Sequence, residues 1–225
     1  MRTEIAYRPS YSLAIVKLDA GESIRAEGGA MVSMSPNISI QTKAQGGILK
    51  SLARSVLGGE SFFINTLTAT GGAGEVTLAP SLPGDVGVVD LKDQTVYVQS
   101  GSYLASSGNI DVSTSWGGAK TFFGGEGLIL LRVQGTGQLI TSSYGAIHEV
   151  SLAAGERYIV DTGHVVTFED TVKFAVRRVG GLKSTLFSGE GLVVEFTGPG
   201  RITMQTRSPG AFLAWLIPQL PKKSD

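Results

Sequence analysis

The sequence predicts an all-β protein: three internally repeated antiparallel β-sandwich units in a pseudo-threefold arrangement, with one or two short helices. Three observations carry this reading. A pattern of a glycine pair, a lysine, a hydroxyl residue, a short apolar link, a second glycine and a glutamate occurs three times, with its glutamates about 65 residues apart. A fixed period of that kind marks repeated supersecondary units. Short alternating or β-branched segments recur between Gly-rich turns throughout the chain. Glycine is abundant, 31 of 225 residues, while charged residues make up only 17%, which suits many short strands joined by tight turns.

The copies begin at Gly46-Gly47-Ile48-Leu49-Lys50-Ser51, Gly117-Gly118-Ala119-Lys120-Thr121 and Gly180-Gly181-Leu182-Lys183-Ser184, and close at Glu60, Glu126 and Glu190. Upstream of each glycine pair stands a leucine, then a turn and three short strands, over Leu18 to Gly47, Leu91 to Gly118 and Leu152 to Gly181. Downstream of each glutamate comes a strand, a turn (Thr70-Gly71-Gly72, Gly135-Thr136-Gly137, Gly198-Pro199-Gly200) and a second strand. The chain is therefore read as one β-rich domain of three repeats, approximately 1–60, 61–126 and 127–208, followed by a C-terminal helix over 209–217 and a polar tail over 218–225.

In order along the chain, the first expected strand is Tyr11–Leu18, apolar on nearly both faces, followed by a turn at Asp19–Glu22. Short strands follow at 23–26, 30–34 and 37–42. Residues 47–57 differ: Ile48, Leu49, Leu52, Val56 and Leu57 fall on one helical face with Lys50 and Arg54 between them, and Gly58 is placed to end an amphipathic helix. The lysine-to-glutamate link is longest in this copy, so the helix is an insertion into one repeat. Strand signals resume at 61–69, 74–79, 85–92, 95–99 and 109–115, then at 128–133, 137–142, 146–152, 157–161, 165–169, 172–179, 192–197 and 201–206. The third repeat lacks a last strand, and Tyr11–Leu18 is expected to supply it, pairing the chain's two ends and closing the array. Near the C-terminus Ala211–Ile217 is a helix candidate with Pro209 at its start and Pro218 at its stop.

The bulk numbers narrow the function classes. Lys and Arg number 19 and so do Asp and Glu, giving no net charge. No nucleic-acid partner is expected, because phosphate neutralisation needs clustered basic side chains. Cysteine is absent, which removes disulfides and thiolate metal sites and points to the cytoplasm. No run approaches the length of about 20 apolar residues that a spanning helix needs.

Gly58-Gly59-Glu60-Ser61-Phe62-Phe63, then Gly74-Glu75-Val76 and Pro80-Ser81-Leu82-Pro83-Gly84-Asp85, resemble the family named after altered inheritance of mitochondria protein 24. The likeness runs over essentially the whole chain. It implies a fold similar to the small antiparallel sandwiches of the tryptophan RNA-binding attenuation protein-like class. The family's prokaryotic members are mostly uncharacterised, and its mitochondrial members are linked to inner-membrane organisation. The resemblance brings no catalytic residues with it.

Among candidate site residues, Glu60, Glu126 and Glu190 would converge if the repeats surround a common axis, where three carboxylates can hold a hard cation such as Ca²⁺ or Mg²⁺. The favoured reading is a solvated turn carboxylate in each repeat, so no metal and no cofactor is assigned. Lys50, Lys120 and Lys183 could line an anion site beside Gly-rich backbone, but a Leu or Ala precedes each, unlike the Gly-Lys-Ser/Thr of a phosphate loop. His148 and His164 lie on strand-like segments of one repeat, without the close spacing of a metal pair. No nucleophile elbow occurs, and catalytic residues are assigned to none of the chain.

The helices 47–57 and 209–217 are most simply core or subunit covers. The alternatives are peripheral contact with a membrane and docking in a partner's groove. The expected function is that of a non-enzymatic scaffold or interaction protein, a homo-oligomer whose trimer would make a nine-unit ring. The alternative is a small-ligand or ion binder using grooves between repeats or the pseudo-threefold axis.

Overall fold

The computed structural model describes residues 1–42, 64–114, 128–178 and 192–221. Among these the chain is predominantly β. The first block of strands is β1 (Arg2–Ala6), β2 (Leu13–Leu18), β3 (Ser23–Glu27), β4 (Met31–Met34), β5 (Ile38–Thr42), β6 (Ile64–Ala69) and β7 (Gly74–Leu78). Next come β8 (Val86–Gln99), β9 (Tyr103–Ser107), β10 (Asp111–Thr114) and β11 (Leu130–Ser142). The last block is β12 (Ile147–Leu152), β13 (Arg157–Asp161), β14 (Val165–Glu169), β15 (Lys173–Arg178), β16 (Leu192–Thr197) and β17 (Gly200–Gln205), followed by helix α1 (Pro209–Leu216).

Period-two burial explains why these segments are strands. In β2, Ala14, Val16 and Leu18 are buried while Lys17 is exposed; in β3, Ile24 and Ala26 are buried between half-buried neighbours. Every ladder between strands is antiparallel. Four strands form one sheet in the order β1-β2-β7-β4, three form another in the order β13-β16-β15, and the rest form a large sheet ordered β12-β17-β14-β8-β11-β9-β3-β6-β5, with β10 added on β11.

The two long strands hold the large sheet together. β8 and β11 pair from Val86 opposite Ser142 to Gln99 opposite Leu130. The first half of β11 also pairs with β10 and its second half with β9, while the end of β8 pairs with β14. The sequence suggests two strands on each side of this ladder, split at Asp93-Gln94 and at Gly135-Thr136-Gly137. Instead both strands continue through a shared bend, where the register shifts between Gly135 and Thr136. Gly137 has φ 143°, a region that disfavours side chains, and a Cβ there would lie 2.8 Å from the Ser107 side chain. Glycines that look like a reversal are here a kink inside a continuous ladder.

A second expectation is overturned. The chain ends do not pair: β2 lies between β1 and β7, and β17 lies between β12 and β14. The Gly74–Leu78 segment takes the place beside β2 that the sequence reading gave to the last strand. Two strands went unread. β1 is a mostly exposed edge with weak alternation, and β9 carries Ala105, Ser106 and Ser107, whose small side chains hide a strand buried on both faces.

Three clusters of buried apolar side chains form the core among the described residues. One joins β2 and β7 to β3 and β6 through Val16, Leu18, Ile24, Leu67 and Val76. A middle one gathers Leu91, Val98, Tyr103, Ile110 and Leu139. The third contains Val160, Phe168, Val194, Phe196 and Ile202, with Tyr97 and Phe174 packed against it. Helix α1 begins where the sequence places it. Ser208 caps it by accepting from the Ala211 N–H, and Pro209 occupies its first turn. No α1 residue is buried; Phe212 meets the Tyr144 ring edge-on at 5.9 Å and Trp215 at 6.1 Å.

Candidate functional site

Glu60, Glu126, Glu190, Lys50, Lys120, Lys183 and the helix expected over 47–57 lie outside the described residues. Among the described residues no three His, Asp or Glu side chains gather where a metal ion could sit. The two histidines flank the same strand, with His148 on β12 opposite Met204 of β17 and His164 in a 3₁₀ turn leading into β14. The His164 Nδ1 lies 2.7 Å from the Gln205 carbonyl oxygen. Gln205 in turn donates from its side chain to the Gly163 carbonyl at 2.8 Å, and the Asp161 carboxylate accepts from the Gly163 N–H at 2.8 Å. These contacts make His164 part of a turn that fixes the entry of β14.

An open groove of about 440 Å³ lies where β3 meets the β9–β10 turn and the bend of β11. Its polar walls include Glu22, Ser23, Ser107, Asn109, Thr136 and Gln138. Most of these groups bond to the protein itself. Glu22 accepts from the Met1 ammonium at 2.6 Å and from the Asp19 N–H at 2.8 Å; the hydrogen bond from the ammonium, then that from Asp19, hold its carboxyl below the usual range. Asn109 donates to the Thr136 carbonyl at 2.9 Å, and Ser107 accepts from the Gln138 N–H at 2.9 Å. The groove can admit a small polar solute; among its described residues no nucleophile is paired with a base.

The most enclosed charge among the described residues lies elsewhere. Asp85, 3% exposed, stands where the loops before β2, β8 and β12 meet. It accepts two hydrogen bonds from the Arg8 guanidinium, at 2.9 and 2.8 Å, one from the Ser12 hydroxyl at 2.9 Å and one from the Val86 N–H at 2.8 Å. Burial alone would raise its pKa, but the bonds from Arg8, Ser12 and Val86 together outweigh that and lower it. The same pairing raises the Arg8 pKa. This is a clasp between the N-terminal loop and the body of the protein; the sequence shows Asp85 only as the end of the Pro80–Asp85 motif and does not reveal its partner, because Arg8 is 77 positions away.

Asp85→Asn is expected to cost about 2–3 kcal/mol of stability at neutral pH, as a charge-assisted bidentate contact is lost and a buried polar group is left badly matched. A carboxyl with a lowered folded pKa contributes stability above its unfolded pKa of about 3.9 and loses it as the pH falls through the folded value. Urea titrations of the two proteins should therefore differ at pH 7 and draw together as the pH falls below about 3.9. A difference that stays constant from pH 7 into strong acid would sink the ionic account.

The surface carries a second departure from ordinary burial. All four residues of β4 are exposed, including Met31, Val32 and Met34. On β13, Tyr158 and Ile159 are exposed. Among the described residues both strands are the last in their sheets. On α1 and the turn after it, Leu213, Trp215 and Ile217 face outward. Edge strands presenting unpaired N–H and C=O groups together with apolar side chains are templates for another strand.

The architecture defines a predominantly β protein whose apolar edge strands β4 and β13 have no further neighbour among the described residues. The chain belongs to the family described as Mitochondrial biogenesis AIM24, whose model matches residues 3–207. It is 29% identical over 233 residues to an uncharacterized protein of Streptococcus pyogenes serotype M6, covering 100% of this chain and 93% of that protein. It is also similar to a Streptococcus pyogenes protein solved by X-ray crystallography, with a TM-score of 0.81 and 27% identity, over 97% of this chain and 99% of the other. No helix among the described residues is long and apolar enough to cross a membrane.

Proposed function

We propose that the protein is a non-enzymatic homo-oligomeric scaffold, assembled from three repeated sandwich units per chain and joined to further copies at its two outer units. One observation carries the proposal. Every large apolar residue that is exposed among the described residues lies between positions 7 and 40 or between 158 and 220, and none lies between. The described middle of the chain leaves no large apolar side chain exposed, whereas the exposed apolar residues of β4, β5 and β13 lie on strands that end their sheets among the described residues.

The repeat itself is supported by recurring pairings. β2 pairs with β7, the first half of β8 with the second half of β11, and β12 with β17. β3 pairs with β6, the second half of β8 with the first half of β11, and β13 with β16. β4, β9 and β14 pair with β7, β11 and β17, each through a ladder whose register shifts beside Val32, Leu104 or Val166. Because β2 pairs with β7 across residue 60, the units are better drawn as 13–78, 86–142 and 147–205. This scheme suits the attenuation protein-like sandwich, and three chains would give a ring of nine units.

Native mass spectrometry at micromolar concentration should find a particle three times the mass of the 23.5 kDa chain; a monomer would overturn the proposal. A second reading, a binder of small polar ligands, rests on the groove beside Glu22 and Asn109. The same spectra test it through a bound small molecule that survives purification.

A further inference from the structure

We infer that β13 of one copy pairs antiparallel with β4 of the next, with Ile159 opposite Met34, Tyr158 opposite Ser35 and Val160 opposite Ser33. This rests on the oligomeric reading above and names the partner strand and its register.

The chain contains two built examples of this joint. In the first, β3 pairs with β9: Ile24 lies opposite Ser107, Arg25 opposite Ser106 and Ala26 opposite Ala105. In the second, the end of β8 pairs with β14: Val96 lies opposite Glu169, Tyr97 opposite Phe168 and Val98 opposite Thr167. Both are antiparallel, and both put a strand that carries a bulge against the strand that follows the first turn of the preceding block.

The bulges fix the correspondence on one side. The ladder skips Val32 between Met31 and Ser33, Leu104 between Tyr103 and Ala105, and Val166 between Val165 and Thr167. Met34 therefore matches Ser106 and Phe168. On the other side β3 and β13 follow the same turn: the Glu22 carboxylate accepts from the Asp19 N–H and the Glu156 carboxylate from the Ala153 N–H, each at 2.8 Å. Ile159 therefore matches Arg25, and through its cross-strand partner Glu195 it matches Tyr97, which faces Arg132. Carrying the two built registers onto the free strands gives the pairing stated above.

Burial says that the third joint is unmade in the single chain. Tyr103, Leu104, Ala105 and Ser106 are each 0% exposed, and Val165, Val166, Thr167 and Phe168 are all buried. At the matching places Met31, Val32 and Met34 are 39%, 58% and 40% exposed. Their sheets are also half built. Among the described residues the strand orders β1-β2-β7-β4 and β13-β16-β15 stop beyond β4 and β13. Joined end to end, they reproduce the order in which β17-β14 meets β8 and in which β11-β9 meets β3 and β6. Since β4 and β13 of one chain belong to different sheets, the partner is a second copy of the same chain, and the contact is head-to-tail.

The absence of cysteine makes a clean test possible. Opposed residues of an antiparallel pair stand about 4.5–5.5 Å apart at Cα, within disulfide range. Two differently tagged chains, one carrying Met34→Cys and the other Ile159→Cys, are co-expressed and oxidised, and a chain carrying Arg157→Cys replaces the second as an offset control. The expected result is a covalent mixed dimer on a non-reducing gel for the first pair, at roughly tenfold the yield of the offset pair, whose Cβ atoms are too distant. Val32→Lys should independently weaken assembly by roughly a hundredfold, through burial of an unpaired charge, while leaving the far-ultraviolet spectrum unchanged.

An oligomer without the mixed disulfide, or one cross-linked equally by the offset pair, overturns the register and leaves the scaffold reading standing. A monomeric unsubstituted protein overturns both. A chain carrying Met34→Cys and Ile159→Cys together that closes on itself as an oxidised monomer overturns the head-to-tail contact.

Discussion

Phe168→Ala is expected to lower the free energy of unfolding by about 3–5 kcal/mol. Phe168 is 1% exposed and its ring is the hub of an aromatic cluster. It stacks on Tyr97 at 5.1 Å and meets Phe174 at 4.9 Å and Phe196 at 5.1 Å. These rings come from β8, β14, β15 and β16, so the hub joins the third core to the long strand that runs from the second. The hole left by alanine cannot close by a small side-chain shift, because β14 is pinned on one side to β17 and on the other to β8. Aromatic contacts add to the area term. Urea unfolding followed by circular dichroism checks this. For a chain of this length the melting temperature should fall by roughly 10 °C, and a loss below about 1 kcal/mol would mean that the cluster can repack.

Gly84→Ala is expected to be comparably severe, about 3 kcal/mol or more, for a different reason. A Cβ at residue 84 would lie 1.7 Å from the Ser143 carbonyl oxygen and 2.7 Å from its carbon. The obstacle is backbone, so no rotamer change relieves it. Nor can the two segments separate cheaply. Ser12 donates from its N–H to the Gly84 carbonyl, Asp85 to the Gly145 carbonyl and Gly145 to the Pro83 carbonyl, at 3.0, 2.9 and 3.0 Å. The same segments position Asp85 for Arg8 and Ser12. Gly84→Ala should thus spoil the clasp as well as these backbone hydrogen bonds, and the variant should lose the pH dependence assigned to Asp85 along with its stability. A thermal scan showing a wild-type melt would contradict the close approach.

The sequence is informative where strand chemistry is local. Arg157–Asp161, Val165–Glu169 and Leu192–Thr197 are strands with the bounds that their β-branched and aromatic runs and flanking turns suggest. Pattern reading fails where pairing decides the outcome. Asp93-Gln94 and Gly135 to Gly137 have turn composition, yet each strand keeps its neighbour through the bend, so the ladder overrides the local preference. β9 is strand-like only because β3 and β11 flank it. Met31–Met34 reads as a short strand and is exposed throughout, because it ends its sheet among the described strands and no local pattern encodes that position. The Asp85 clasp needed three loops brought together across long sequence distances. The glutamates that the sequence singled out, Glu60, Glu126 and Glu190, lie outside the described residues.

The continuity of β8 and β11 also bears on how the protein comes apart. A strand whose two halves serve different cores cannot detach from one while remaining seated in the other, unless it breaks its own ladder in the middle. The three apolar clusters are therefore not three separable stability units, and the molecule is expected to melt as one. Amides along Val96–Val98 and Leu131–Val133 would be among the last to exchange with solvent, because exposing them requires the whole body to open.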